Sequence, residues 1–199
     1  MNTSDLTSPL VEGLIYAPIY KKDARMLSGR RATGKNPLEE SYDRDFDKAD
    51  VALALRKNPD LQAIGLYTGI RGKGIVILDV DKNLKKLQQL WGDSLDKAPK
   101  VVSTKKNAAK YIFYIPEHLW GEVKGHGLRK EDGGDYEILW GRRQGVILGA
   151  YPGGRQSVAG HYSLEGSLEN IPVAPDWLIA EMKAPPKVHT NRKDLDFSD

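Results

Sequence analysis

The chain has 199 residues, 40% of them hydrophobic and 29% charged, and it contains no Cys. That balance suits one good-sized folded domain and excludes a wholly disordered chain, a disulfide framework and a thiolate metal site. The formal net charge of +3 is compatible with a nucleic-acid partner but does not demand one.

Residues 1–12 are polar and lack a basic segment followed by an apolar run, so they read as a flexible leader rather than a signal peptide. Gly13–Tyr20 (GLIYAPIY) reads as a strand broken by Pro18. Residues 21–46, charged and punctuated by Gly and Pro, read mostly as loop. Lys48–Lys57 (KADVALALRK) has the composition of a short helix, stopped by Asn58-Pro59. Ala63–Thr68 follows as a strand. The loop Gly69–Gly74 (GIRGKG) is not a Walker A loop, because no Gly-Lys-Ser/Thr follows. It suits a tight turn, with Arg71 and Lys73 either touching phosphate or solvated.

Ile75–Asp81 (IVILDVD) is the strongest strand signal, β-branched, apolar and ending in two carboxylates. Asn83–Trp91 places Leu84, Leu87, Leu90 and Trp91 at helical spacing. Residues 92–100 read as loop. Val101–Thr104 and Lys110–Ile115 (KYIFYI) read as strands around a lysine-rich turn, and 121–134 as a flexible charged loop. Tyr136–Trp140 and Gly145–Tyr151 read as a strand pair, with a weaker pair near 156–164. Pro175–Lys183 reads as a closing helix with Pro in its first turn. From Ala184 onward the chain is Pro-rich and then charged, so 184–199 is expected to be a disordered tail or a linker to a further domain. Strands and helices come first and mostly strands later, which points to an α+β domain over 13–183. No apolar run approaches the length of a membrane span, and the chain reads as cytoplasmic.

The chemistry concentrates at Asp79-Val80-Asp81. Alternation along a strand puts Asp79 and Asp81 on one face, where two carboxylates repel unless a cation lies between them. A hard divalent ion such as Mg²⁺ takes such oxygen ligands, and a pair of such ions can clamp a phosphoryl transfer. A solvated acidic turn is the plain alternative. Glu137, inside the alternating stretch Tyr136–Trp140, is the natural third carboxylate, with Asp135 as a substitute. The four His residues show no zinc-ligand spacing. Basic residues gather at Lys21–Lys35, at Lys105, Lys106 and Lys110, and at Arg142-Arg143, flanking the acidic strands as phosphate-binding groups would.

Read together, these segments resemble the bifunctional primase–polymerase domain of the archaeo-eukaryotic primase superfamily. The resemblance runs from about Leu14 to Met182. Gly34-Lys35-Asn36-Pro37-Leu38 is similar to the family's Lys-x-Pro element. Gly74–Asp81 is similar to its first acidic motif, and Tyr136-Glu137-Ile138-Leu139 to its third. Gly141-Arg142-Arg143-Gln144-Gly145-Val146 is similar to the turn and strand that follow. Gly160-His161-Tyr162 and Pro175-Asp176-Trp177-Leu178 are similar to its closing elements. The second motif departs from the family. Its phosphate-contacting His is absent, and Lys110 falls at that position, or Tyr111 if the register shifts by one residue.

The resemblance implies an antiparallel catalytic sheet of the RNA-recognition type flanked by helices, with an N-terminal α/β subdomain beside it. It implies nucleotidyl transfer from (d)NTPs on a single-stranded DNA template, in replication of the phage or plasmid type. Mg²⁺ or Mn²⁺ would be held by Asp79, Asp81 and Glu137. Lys110 or Tyr111, Lys35, Arg142, Arg143 and Gln144 would contact substrate. A helicase domain or partner is a further expectation. A non-catalytic module binding single-stranded DNA and a metal-dependent nuclease remain the competing readings. Alternation also places Lys110, Ile112 and Tyr114 on one face of their strand, which is then the face turned toward Asp79 and Asp81.

Overall fold

From the N-terminus the computed structural model runs α1 (Thr3–Thr7), β1 (Tyr16–Tyr20), β2 (Lys22–Arg25), β3 (Arg31–Thr33), α2 (Glu40–Asp43), α3 (Lys48–Lys57) and β4 (Leu61–Tyr67). It continues through β5 (Ile75–Lys82), α4 (Leu84–Trp91), β6 (Lys100–Val102), β7 (Ala109–Tyr114), β8 (His126–Glu131), β9 (Gly134–Leu139), β10 (Gln144–Tyr151), β11 (Gly160–Glu165) and α5 (Asp176–Lys183). The structure describes residues 3–131, 134–141, 143–154 and 157–184. The expected tail lies outside them, apart from Ala184.

The architecture is α+β, with few helices and a large antiparallel sheet. Nine strands follow the order β1-β4-β10-β11-β6-β7-β5-β9-β8, and β2 and β3 form a separate hairpin. The ladder is joined at β11. Residues Gly160–Tyr162 pair with β10, while Ser163–Glu165 pair with β6.

Period-2 alternation divides the sheet's apolar residues between two cores. One face of β5 sends Ile75 and Ile77 into a core with Tyr16, Ile64 and Leu66 of the N-terminal strands. The other face sends Val76, Leu78 and Val80 against Leu87 and Trp91 of α4 and Leu178 and Met182 of α5. Gly145 lets the layers approach, since a Cβ there would stand 2.8 Å from Ile77 Cδ1. Helix α3 begins at a reciprocal cap, with Asp47 accepting from the Asp50 backbone N–H at 2.8 Å and Asp50 accepting from that of Asp47. Arg56 and Lys57 in its last turn complement the helix dipole.

The expected weaker pair near 156–164 is, among the described residues, the single strand β11, which pairs with β10 and β6. Three further segments differ from the sequence expectation. The leader is not loose over 3–12: it contains α1 and buries Leu6 and Leu10 in the first core. Two apolar residues at a four-residue spacing were too sparse to register as a periodic pattern. The expected loop 21–46 contains the β2–β3 hairpin and α2. The expected loop 121–134 contains β8, which pairs with β9 from Glu131↔Gly134 to His126↔Ile138. Its inward residues are His126 and Arg129, which are polar and so hid the alternation. Among the described residues, no helix is long and apolar enough to cross a membrane.

Leu10 is 2% exposed, whereas Leu27 is 74% exposed. Leu10→Ala is expected to destabilise the protein by about 2–5 kcal/mol and Leu27→Ala by less than about 0.5 kcal/mol. Urea unfolding measures both, and equal small effects would show that the N-terminal segment contributes nothing to the core.

Candidate active site

Past Ile77, the alternation of β5 changes chemistry without changing face. Asp79 and Asp81 follow Ile75 and Ile77, so this face leaves the core and opens into a cleft. On β7 the residue opposite Asp79 is Lys110, and on β9 it is Glu137. Directly opposite residues on neighbouring strands project from the same face. The rung Lys110–Asp79–Glu137 therefore crosses three strands, with Asp81 two residues further along.

Lys110 Nζ lies 3.1 Å from Asp79 Oδ1, and both side chains are largely buried. Lys105 Nζ lies 2.5 Å from Asp81 Oδ1, in a more exposed position. These groups line a cleft of about 260 Å³ together with Glu137, Lys35, Tyr151 and Tyr162. The Lys110 ammonium also sits 5.2 Å from the centre of the Tyr162 ring.

The loop between β6 and β7 delivers Lys105. Its backbone N–H donates to Ser103 Oγ at 3.3 Å. Thr104 Oγ1 donates to the Val158 carbonyl, and the Asn107 carbonyl accepts from the Leu84 N–H at 3.1 Å. Asn107 has φ +55, the left-handed conformation that Asn tolerates better than most residues. The loop is thus fastened to the β10–β11 connection on one side and to α4 on the other. The lysine cluster is visible in the sequence, but the pairing of Lys105 with Asp81 depends on these contacts.

Other expected substrate residues divide by position. Lys35 reaches the cleft from the segment after β3. Gly34 precedes it at φ +85, where a Cβ would stand 2.8 Å from Pro152 Cβ, so glycine is required. Gln144 turns toward that segment instead of the cleft: its Nε2 donates to the Lys35 carbonyl at 3.1 Å. Its Oε1 is buried with no hydrogen-bond partner among the described residues. Gln144 therefore positions Lys35. The Arg143 carbonyl accepts from the Thr68 N–H and hydroxyl, while the Arg143 side chain is exposed and its charge acts on Glu137. Arg142 lies outside the described residues.

Tyr111 is a correction. It points to the opposite face of β7, is 2% exposed and accepts from Gln88 Nε2 at 2.9 Å. Alternation from Lys110 makes that burial unavoidable. Arg71 is likewise committed elsewhere, donating to Asp45 and to the Ser41 and Arg44 carbonyls and stacking on Tyr67.

Burial pushes the Glu137 carboxyl above its ordinary range, and the charges of Asp79 and Asp81 push it further. Arg143 and Lys35 oppose the shift. Burial, followed by the Asp79 charge, also raises the Tyr162 hydroxyl. Among the described residues, no three Asp, Glu, His or Cys side chains already stand close enough to hold a metal ion. Asp79 and Asp81 are each drawn to a lysine instead. The donor set nonetheless fits a hard divalent cation. It is all-oxygen, and its carboxylates share one face of adjacent strands.

A family model described as bifunctional DNA primase/polymerase, N-terminal, matches residues 9–177. No curated protein matches the chain.

A raised carboxyl holds its proton more tightly in the folded protein than in the unfolded chain. Its stabilising contribution is full below the unfolded value of about 4.3 and is lost as pH rises through the folded value. With chelator present, Glu137→Gln is therefore expected to melt higher than wild type at neutral pH. The gap should close as pH falls toward 4. Thermal denaturation across that range tests this, and a gap independent of pH would contradict it.

Proposed function

Because the chain belongs to the bifunctional DNA primase/polymerase N-terminal family, we propose that it is a template-directed primase–polymerase, a nucleotidyltransferase joining (d)NTPs on single-stranded DNA. The observation that carries the reading is the rung Lys110–Asp79–Glu137, with Asp81 beside it, facing one cleft. An α-phosphate attacked by a 3′-hydroxyl develops charge on its oxygens as pyrophosphate departs. Asp79, Asp81 and Glu137 would hold Mg²⁺ or Mn²⁺, which when bound supplies charge neutralisation and an acidified hydroxyl.

The remaining work falls to the chain's own side chains. Lys110, a permanent cation, takes the position of the family's phosphate-contacting His and anchors the triphosphate. Lys35, held by Gln144, and Arg143 provide positive charge on the Glu137 side of the cleft. Tyr151 and Tyr162, in edge-to-face contact at 5.0 Å, form its aromatic wall. The kinship of β5, β7 and β9 to an RNA-recognition sheet belongs to the same reading, as does a role in replication of the phage or plasmid type. It is supported by the place of β5 between β7 and β9 and by α4 and α5 packing on the reverse face.

Incorporation of labelled nucleotides on single-stranded DNA, with Mg²⁺ or Mn²⁺, tests the activity. Asp79→Ala is expected to lower incorporation on the order of 10³-fold without unfolding the protein. DNA binding with no incorporation by wild type would favour a non-catalytic binding module, and template cleavage without nucleotides would favour a nuclease.

Removing a charge-assisted phosphate contact costs ~1.5–3 kcal/mol, so Lys110→Ala is expected to raise the nucleotide KM by roughly ten- to a hundredfold. Tyr111→Ala should destabilise the fold and leave that KM unchanged. Steady-state kinetics on folded fractions separates the two, and the reverse pattern would remove Lys110 from the phosphate site.

A further inference from the structure

We infer that Lys105 is an exchangeable counterion: it neutralises Asp81 in the empty site and transfers to the incoming triphosphate when a divalent ion takes the carboxylate. The inference rests on the function proposed above and deepens it, since Lys105 lies in the second-motif segment but not at the position to which the resemblance assigns a phosphate contact.

The placement of the lysine is built into the fold. Its loop is fastened by Thr104 to Val158 and by Asn107 to Leu84, so Lys105 is held at the mouth of the cleft. The pair it makes is short, at 2.5 Å, yet Lys105 and Asp81 are 31% and 44% exposed. Half-exposed ion pairs of this kind are weak and screened by water, so the contact is easily given up. Lys110 and Asp79, at 15% and 20%, are better shielded and release less readily. A divalent ion at Asp81 would stand beside the Lys105 ammonium, and like charges at that separation repel. Once displaced, the ammonium has a better partner in the same cleft, because a triphosphate carries several negative charges.

Metal and nucleotide should therefore bind cooperatively, and thermodynamic linkage requires the coupling to be equal in both directions. Removing Lys105 should move the two affinities in opposite directions. In Lys105→Ala, Mn²⁺ alone should bind to the nucleotide-free protein about three- to fivefold tighter, because its competitor for Asp81 is gone. A dNTP with a non-hydrolysable α,β linkage, at fixed free Mn²⁺, should bind about tenfold weaker. Lys105→Arg should keep both affinities near wild type. Electron paramagnetic resonance of free Mn²⁺ gives the first quantity and titration calorimetry the second, with melting temperatures confirming that each variant is folded. If Lys105→Ala leaves Mn²⁺ affinity unchanged or weakens it, the exchange is overturned and the pair is a surface contact. If wild type and Asp81→Asn both fail to bind Mn²⁺ at all, the metal reading of the site falls, and the exchange falls with it.

Discussion

Like charges facing each other across a sheet are the constraint on which this site depends. Asp79 and Glu137 occupy opposite positions on β5 and β9, and Asp81 lies on the same face. In a simple sheet this arrangement would destabilise the pairing. The protein sets cations around it. Lys110 closes the rung from β7, Lys105 approaches Asp81 from the β6–β7 loop, and Lys35 and Arg143 act on Glu137. The Glu137 carboxyl is raised first by its burial and then by the charges of Asp79 and Asp81, against which Arg143 and Lys35 act.

The cleft exists because one sheet face serves two purposes. Near its start, β5 turns Ile75 and Ile77 into the core shared with the N-terminal strands, and near its end the same face carries Asp79 and Asp81. β11 makes this possible by pairing with β10 through its first residues and with β6 through its last. Tyr162 lies where the pairing changes, and it lines the cleft beside the acidic strand. The N-terminal strands are therefore part of the site as well as a scaffold, since they carry the segment that brings Lys35 to its rim.

The reverse face is stabilised differently. Trp91 of α4 stacks on Trp177 of α5 at 4.6 Å and meets Tyr136 of β9 edge-on at 5.1 Å. Tyr136 and Glu137 are neighbours on β9, so this aromatic cluster holds the strand from which Glu137 projects. At the sheet's edge, Arg129 of β8 lies 3.3 Å from Glu181 of α5, and His126 meets the Glu181 carbonyl at 2.8 Å. A buried polar set of this kind ties β8 to the closing helix, and its polar composition is the reason the segment looked like a loop.

The sequence alone determined what local chemistry can encode. Helix α3 was legible from its composition and the Asn-Pro stop, and α4 from leucines at helical spacing. β5 was legible as a β-branched run, because these signals depend only on near neighbours. Alternation also sufficed to put Asp79 and Asp81 on one face and to give Lys110 and Tyr111 opposite faces. It could not say which of those two faced the acids. That depended on the register of β7 against β5, a contact between residues some thirty positions apart. Only the tertiary structure turned Gln144 toward Lys35, buried Leu6 and Leu10, and brought Lys105 to Asp81. Each of these requires two segments distant in sequence to meet, and no periodicity along the chain records such a meeting.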